Sequence, residues 1–123
     1  MRTLYPVLRY SDARAAIAFL VEAFGFEAKE LSESPDGVLQ HAELVFGDGM
    51  VMVGQSGRPP QPLPAEDDFR VYAYVADPDA HHDRAAAAGA RVVHPLTDQP
   101  YGSREYGVRD SEGNVWTFGT YRP

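Results

Sequence analysis

What most limits how this chain can fold is that it carries one small supersecondary plan twice. Asp12 and Asp77 each stand between a strand-like apolar run and an alanine-rich helical stretch. An Asp side-chain oxygen accepts a free amide at a helix start, so both residues read as caps. Downstream, Gly49 and Gly113 each close a tight turn before a final apolar run. In the first copy Thr3 to Tyr10 is a strand, and Ala13, Ala16, Ile17, Leu20 and Phe24 form a helical stripe ended by Gly25. Phe26 to Glu33 and Val38 to Phe46 are strands around the turn Pro35-Asp36-Gly37, and Met50 to Gln55 is a fourth. In the second copy Phe69 to Val75 is a strand, and Pro78 opens a helix over Ala80 to Ala88 that Gly89 ends. Arg91 to His94, Ser103 to Asp110 and Asn114 to Tyr121 are the remaining strands.

Two copies of strand-helix-strand-strand-strand predict an α+β fold in which two βαβββ modules form a curved mixed-sheet cleft. At 123 residues the chain is expected to be one domain, residues 1–123. Its parts are module 1 over about 1–55, a linker over 56–67, and module 2 over about 68–123. Pro59, Pro60, Pro62 and Pro64 mark the linker, because proline cannot serve a sheet interior. An unrelated α+β sandwich built from the same elements is the competing architecture.

Charge and composition narrow the function. Eighteen acidic against 11 basic residues give a net charge of −7, a field that repels phosphate backbones, so no nucleic-acid partner is expected. The chain has no cysteine, which excludes disulfides, thiolate metal sites and a cysteine nucleophile. No apolar run reaches membrane-spanning length and none follows Arg2 in the manner of a signal peptide. No membrane partner is expected, and the expected location is cytoplasmic.

Tyr5-Pro-Val-Leu-Arg-Tyr-Ser-Asp12, the helix end Ala23-Phe-Gly-Phe26 and Gly102-Ser-Arg-Glu-Tyr-Gly-Val-Arg-Asp110 resemble the glyoxalase/bleomycin-resistance/dioxygenase superfamily of vicinal-oxygen-chelate proteins. So does Asp110-Ser-Glu-Gly-Asn-Val-Trp116, and the stretch from Arg104 to Asp110 looks most like the bleomycin-resistance branch. In metal-dependent members, the resemblance implies, the first and fourth strands of each module supply the metal ligands. Seven residues before each cap stand Tyr5 and Arg70, and four after each turn glycine stand Val53 and Thr117. Divalent metals there want imidazole or carboxylate, and none of these four supplies either. No metal, cofactor or catalytic residue is therefore expected, and metal-polarised lyase, isomerase or dioxygenase chemistry is put in doubt.

Strand alternation then predicts an inner face. It carries Tyr5, Val7 and Arg9, then Val51, Val53 and Gln55, then Arg70, Tyr72 and Tyr74, and finally Arg104, Tyr106, Val108, Val115 and Thr117. Burying three arginines without anionic partners is costly, which favours an open cleft over a filled core. The expected ligand-binding residues are Tyr5, Arg9, Val53, Arg70, Tyr72, Arg104, Tyr106 and Thr117. His41 and Glu43 share one strand face and form an alternative, relocated metal site. By register they fall opposite Val51 and Val53, pointing away from the expected cleft. His81, His82 and His94 are read as packing or solvent residues. The function these features suggest is a non-catalytic protein that holds a small molecule, sequestering an antibiotic or metabolite without metal. The competing readings are an enzyme, using a relocated metal or Tyr and Arg as acid and anion clamp, and a regulatory dimer with a vestigial cleft. Sheet edges, and the habit of the resembling family, lead to an expected homodimer.

Overall fold

The computed structural model of the protein describes residues 2–68 and 70–123. They form two compact units, residues 1–61 and 62–123. The expected start of the fifth strand at Phe69 lies outside the described residues.

The first unit runs β1 (Val7–Tyr10), α1 (Ala13–Phe19), β2 (Glu27–Glu33), β3 (Leu39–Phe46) and β4 (Gly49–Gln55). Asp12 caps α1, accepting from the Ala15 amide at 3.1 Å. A π-helical turn over Leu20–Phe24 continues the helix, and Gly25 ends it at φ 86°, a conformation that costs glycine little. The sheet order is β1-β4-β3-β2, with β1 parallel to β4 and the other pairs antiparallel. Val51 and Val53 pair with Leu44 and Ala42, and all four are buried together with Ala13, Ala16, Ile17, Leu20 and Phe24 of the helix. The side chain of Gln55, on the same face, accepts from the Ala13 amide at 3.0 Å and ties β4 to the start of α1.

The second unit repeats the plan with β5 (Val71–Tyr74), α2 (Pro78–Ala87), β6 (Arg91–Asp98), β7 (Arg104–Arg109) and β8 (Val115–Gly119). Its order is β5-β8-β7-β6, again with one parallel pair. Asp77 caps α2 through the Ala80 amide at 3.0 Å. Trp116 and Phe118 pair with Val108 and Tyr106, all buried. The α2 residue His81 lies 4.1 Å ring to ring from Phe118, and its Nδ1 is 2.6 Å from the Tyr106 hydroxyl. The row Trp116–Phe118–Tyr106 is therefore the helix-side core. Each unit carries an open mixed sheet with its helix on one face, so the α+β class stands as expected. β6 is longer than its sequence suggests, running through Pro95 to Asp98 as an edge strand with two breaks in register. An edge position tolerates the missing proline N–H, and bulges absorb the mismatch. Among the described residues, no helix is long and apolar enough to cross a membrane.

Two stability predictions follow from this core. Trp116→Ala removes a side chain that is 1% exposed, and a loss of about 3–5 kcal/mol is expected by urea denaturation. A variant as stable as the parent would contradict the packing. Burial also holds the Tyr106 phenol well above its ordinary pKa of 10.0. The unfolded chain ionises there near pH 10 while the folded chain keeps the proton, so this contribution is complete below about pH 10 and falls as pH rises. Between about pH 9 and about pH 11 the parent should lose more stability than Tyr106→Phe, and equal slopes would show that Tyr106 is not the group responsible.

Candidate functional site

The face of the second-unit sheet that turns away from α2 holds a cavity of about 360 Å³. A cross-strand row runs beneath it, and Gly107 and Thr117 of that row form its floor. His94 on β6 pairs with Gly107 on β7, Gly107 with Thr117 on β8, and Thr117 with Tyr72 on β5. Thr97, Glu105 and Gly119 form the next row. Arg70, His94, Thr97, Glu105, Gly107 and Thr117 line the space, with Pro95, Gln99 and Tyr106 completing the wall.

Two glycines shape that floor by what they lack. A Cβ on Gly107 would stand 2.8 Å from Cδ2 of His94, and one on Gly119 would stand 2.8 Å from Cγ of Glu105. The missing side chains let the His94 ring and the Glu105 chain lie close against the sheet. His94 is held there by Glu66, its Nε2 3.0 Å from Oε1. Glu105 accepts a hydrogen bond from the Tyr101 hydroxyl at 2.7 Å, which raises the pKa of that phenol above its usual value. Neither Arg70 nor Glu105 makes an ion pair with a described residue.

The expected site residues divide. Arg70 and Thr117 stand in the cavity. Tyr106 contributes to its wall, but its ring is 1% exposed and its hydroxyl meets His81 on the helix side. Tyr106 therefore offers no free stacking face, a correction of the expected strand parity. Arg104 shares that parity, and its guanidinium is held by Asp79 at 2.7 Å and Asp98 at 3.2 Å. The Tyr72 hydroxyl donates to the Tyr121 carbonyl at 2.8 Å, and Tyr72 does not line the cavity.

In the first unit, Tyr5 is exposed, with its hydroxyl donating to the Arg2 carbonyl at 3.2 Å. Arg9 lies along Gly54, where an added Cβ would sit 3.6 Å from its Nη1. Val53 is 1% exposed on the helix side, so the expected inner-face placement of Val51, Val53 and Gln55 is reversed. Val7, five residues before its cap, pairs with Met52, whereas Tyr72, five before its own cap, pairs with Thr117. Met52, not Val53, is thus the counterpart of Thr117. The same reversal brings His41 and Glu43, 3.1 Å apart, onto the open face with Met52. The four register positions, Tyr5, Met52, Arg70 and Thr117, offer a phenol, a thioether, a guanidinium and a hydroxyl. That set does not fit a divalent ion. Among the described residues no three His, Asp or Glu side chains cluster closely enough to hold one.

His94, Thr97 and Glu105 escaped the sequence reading for two reasons. Pro95 makes β6 look finished at His94, and an inner face that carries Arg104 and Tyr106 leaves Glu105 on the other side of β7. Pairing Gly107 with Thr117 from the hairpin turn is the signal that puts Glu105 on the face of Thr117.

Known proteins resemble this chain in sequence, in fold or in both. Two uncharacterized proteins, of Mycobacterium bovis and Mycobacterium tuberculosis, are each 37% identical over 126 residues, spanning 94% of this chain and 81% and 72% of theirs. The crystal structure of TioX from Micromonospora sp. ML1 matches with a TM-score of 0.79 at 36% identity, covering 99% of this chain and 98% of that one. The fosfomycin resistance protein FosX from Mesorhizobium loti shares the fold, with a TM-score of 0.72 at 15% identity over 98% of this chain and 92% of its own. Residues 2–118 match the family profile itself, and the chain belongs to the glyoxalase/bleomycin resistance protein/dioxygenase superfamily.

Proposed function

We propose that the protein binds a small molecule without a metal and without converting it, holding it in the second-unit cavity. The observation that carries this reading is Arg70. It occupies the place from which metal-dependent relatives would present a ligand from the first strand of this module, and it lines the cavity. A second positive charge about 4 Å from a guanidinium is opposed by about 4 kcal/mol at an effective dielectric near 20. No carboxylate pairs with Arg70 among the described residues to offset that. The same guanidinium is a fork of donors suited to a carboxylate, phosphate or carbonyl of a ligand. Thr117 adds a hydroxyl, while His94 and Pro95 add flat and apolar wall. The volume lies in the range of ordinary small-molecule sites. Sequestration of an antibiotic or metabolite is the use this arrangement suits.

The protein is also proposed to act as a homodimer. β2 is exposed along its whole length at a sheet edge, and Val7 and Tyr5 are 54% and 41% exposed. A partner chain would cover such surface.

Two measurements check these readings. In a thermal-shift panel of metabolites and antibiotics, a ligand at about a hundred times its Kd adds about 2.7 kcal/mol of stability. That gain should survive chelator and shrink in Arg70→Ala. Stoichiometric metal in protein purified without chelator, together with chelator-sensitive binding, would overturn the reading and bring His41 and Glu43 forward as ligands. For the dimer, light scattering at micromolar concentration should give twice the chain mass of 13.5 kDa, and a monomer mass would contradict it.

A further inference from the structure

We infer that the molecule held in this cavity is dipolar, with an anionic group against Arg70 and an amine against Glu105. The inference rests on the reading of the cavity as a ligand site and adds the chemical class of its occupant.

The argument begins with how charge is handled across the unit. Arg104 is neutralised by Asp79 and Asp98, and the His94 ring is bonded to Glu66. Arg70 and Glu105 differ. They line one cavity with opposite charges, yet neither makes an ion pair with the other or with any other described residue, and Glu105 has only the Tyr101 hydroxyl as a hydrogen-bond donor. The sheet keeps them apart. Arg70 precedes Val71, which pairs with Trp116, whereas Glu105 pairs with Gly119. Their rows are therefore four residues apart along β8, about 13 Å at about 3.3 Å per residue.

Between the two rows lies the Gly107–Thr117 floor. It carries no charge and little bulk, and the wall beside it is the His94 ring. A ligand spanning that floor would bring one end to each charge. An anion alone would face Glu105, and a cation alone would face Arg70. A molecule carrying both groups several ångströms apart gives each protein charge a partner, and a charge leaving water needs one. The long-range field selects in the same direction. A net charge of −7 repels a free anion, whereas a zwitterion has no net charge to repel. Amino acids with extended side chains, small peptides and aminoaryl acids have this character.

The experiment uses three probes on one skeleton with the full chain in metal-depleted buffer near neutral pH. These are 4-(aminomethyl)benzoic acid, its methyl ester and its N-acetyl derivative. Saturation-transfer NMR detects binding and calorimetry ranks it. The dipolar probe should bind at least about tenfold more tightly than either capped form. Arg70→Gln and Glu105→Gln should each bring it down to the capped level. The ranking on the parent protein decides the matter even if a variant fails to fold. Three results would overturn the inference: an N-acetyl probe that binds as tightly as the amine, an unchanged affinity in Glu105→Gln, or no binding by any probe. If the N-acetyl probe binds, depends on Arg70 and gains nothing from a free amine, metal-free binding stands and only the dipolar class falls. If the wider panel also yields no ligand, both fall.

Discussion

Asp110 is buried at the turn between β7 and β8, where its carboxylate gathers the amides of Glu112 and Asn114, the Asn114 carboxamide and the Trp116 indole N–H. A carboxylate away from water requires such donors, and here they come from a single five-residue turn and the strand after it. The bond to the indole, at 3.0 Å, holds Trp116 on the side where α2 packs. Because successive strand residues alternate, Thr117 must then face the other way, into the cavity. Arg109 reinforces the turn from beneath. Its Nη1 donates to the carbonyls of Pro64 and Gly113, and its buried Nε has no protein partner.

The first unit obeys the same alternation with different chemistry. Val51 and Val53 go to the helix side, which leaves Met52 on the open face beside Val7 and Glu43. A β-branched residue gains most where it can be fully buried, while a thioether tolerates an irregular, partly wet surface. The two open faces thus carry different instruments. One has methionine, a His–Glu pair and an arginine, and the other has an arginine, a threonine and two glycines flanked by a histidine and a glutamate.

Membership of the superfamily does not by itself decide between catalysis and binding, since function lies in the site and not in the fold. At this chain's register positions the donors are wrong for a divalent ion, and the nearest alternative pair, His41 and Glu43, is two residues and not three. The cavity of the second unit has features of its own: a cation and an anion held apart over a glycine floor.

The repeat, the two Asp caps, the turn glycines and the α+β class were legible in the sequence, because each rests on local chemistry. Asp12 and Asp77 bond to amides three residues away, and Gly25 and Gly89 adopt positive φ wherever such a helix ends. Arg70 and Thr117 were legible too, by counting from the cap and from the turn. Which side of each strand would meet the helix was not. Val51, Val53 and Gln55 look as suitable for a cleft as for a core, and Tyr106 looks like a stacking surface until His81 is found 2.6 Å from its hydroxyl. A strand has two faces and period two, so a one-residue difference in register exchanges them completely. Local propensity is nearly blind to that exchange, and only the packing of a helix against one face decides it. The sequence by itself determined the elements and their order. The tertiary structure alone decided that His94 and Glu105 line the cavity while the Tyr106 hydroxyl and the Arg104 guanidinium are held by α2, because that depends on contacts between strands and a helix far apart in the chain.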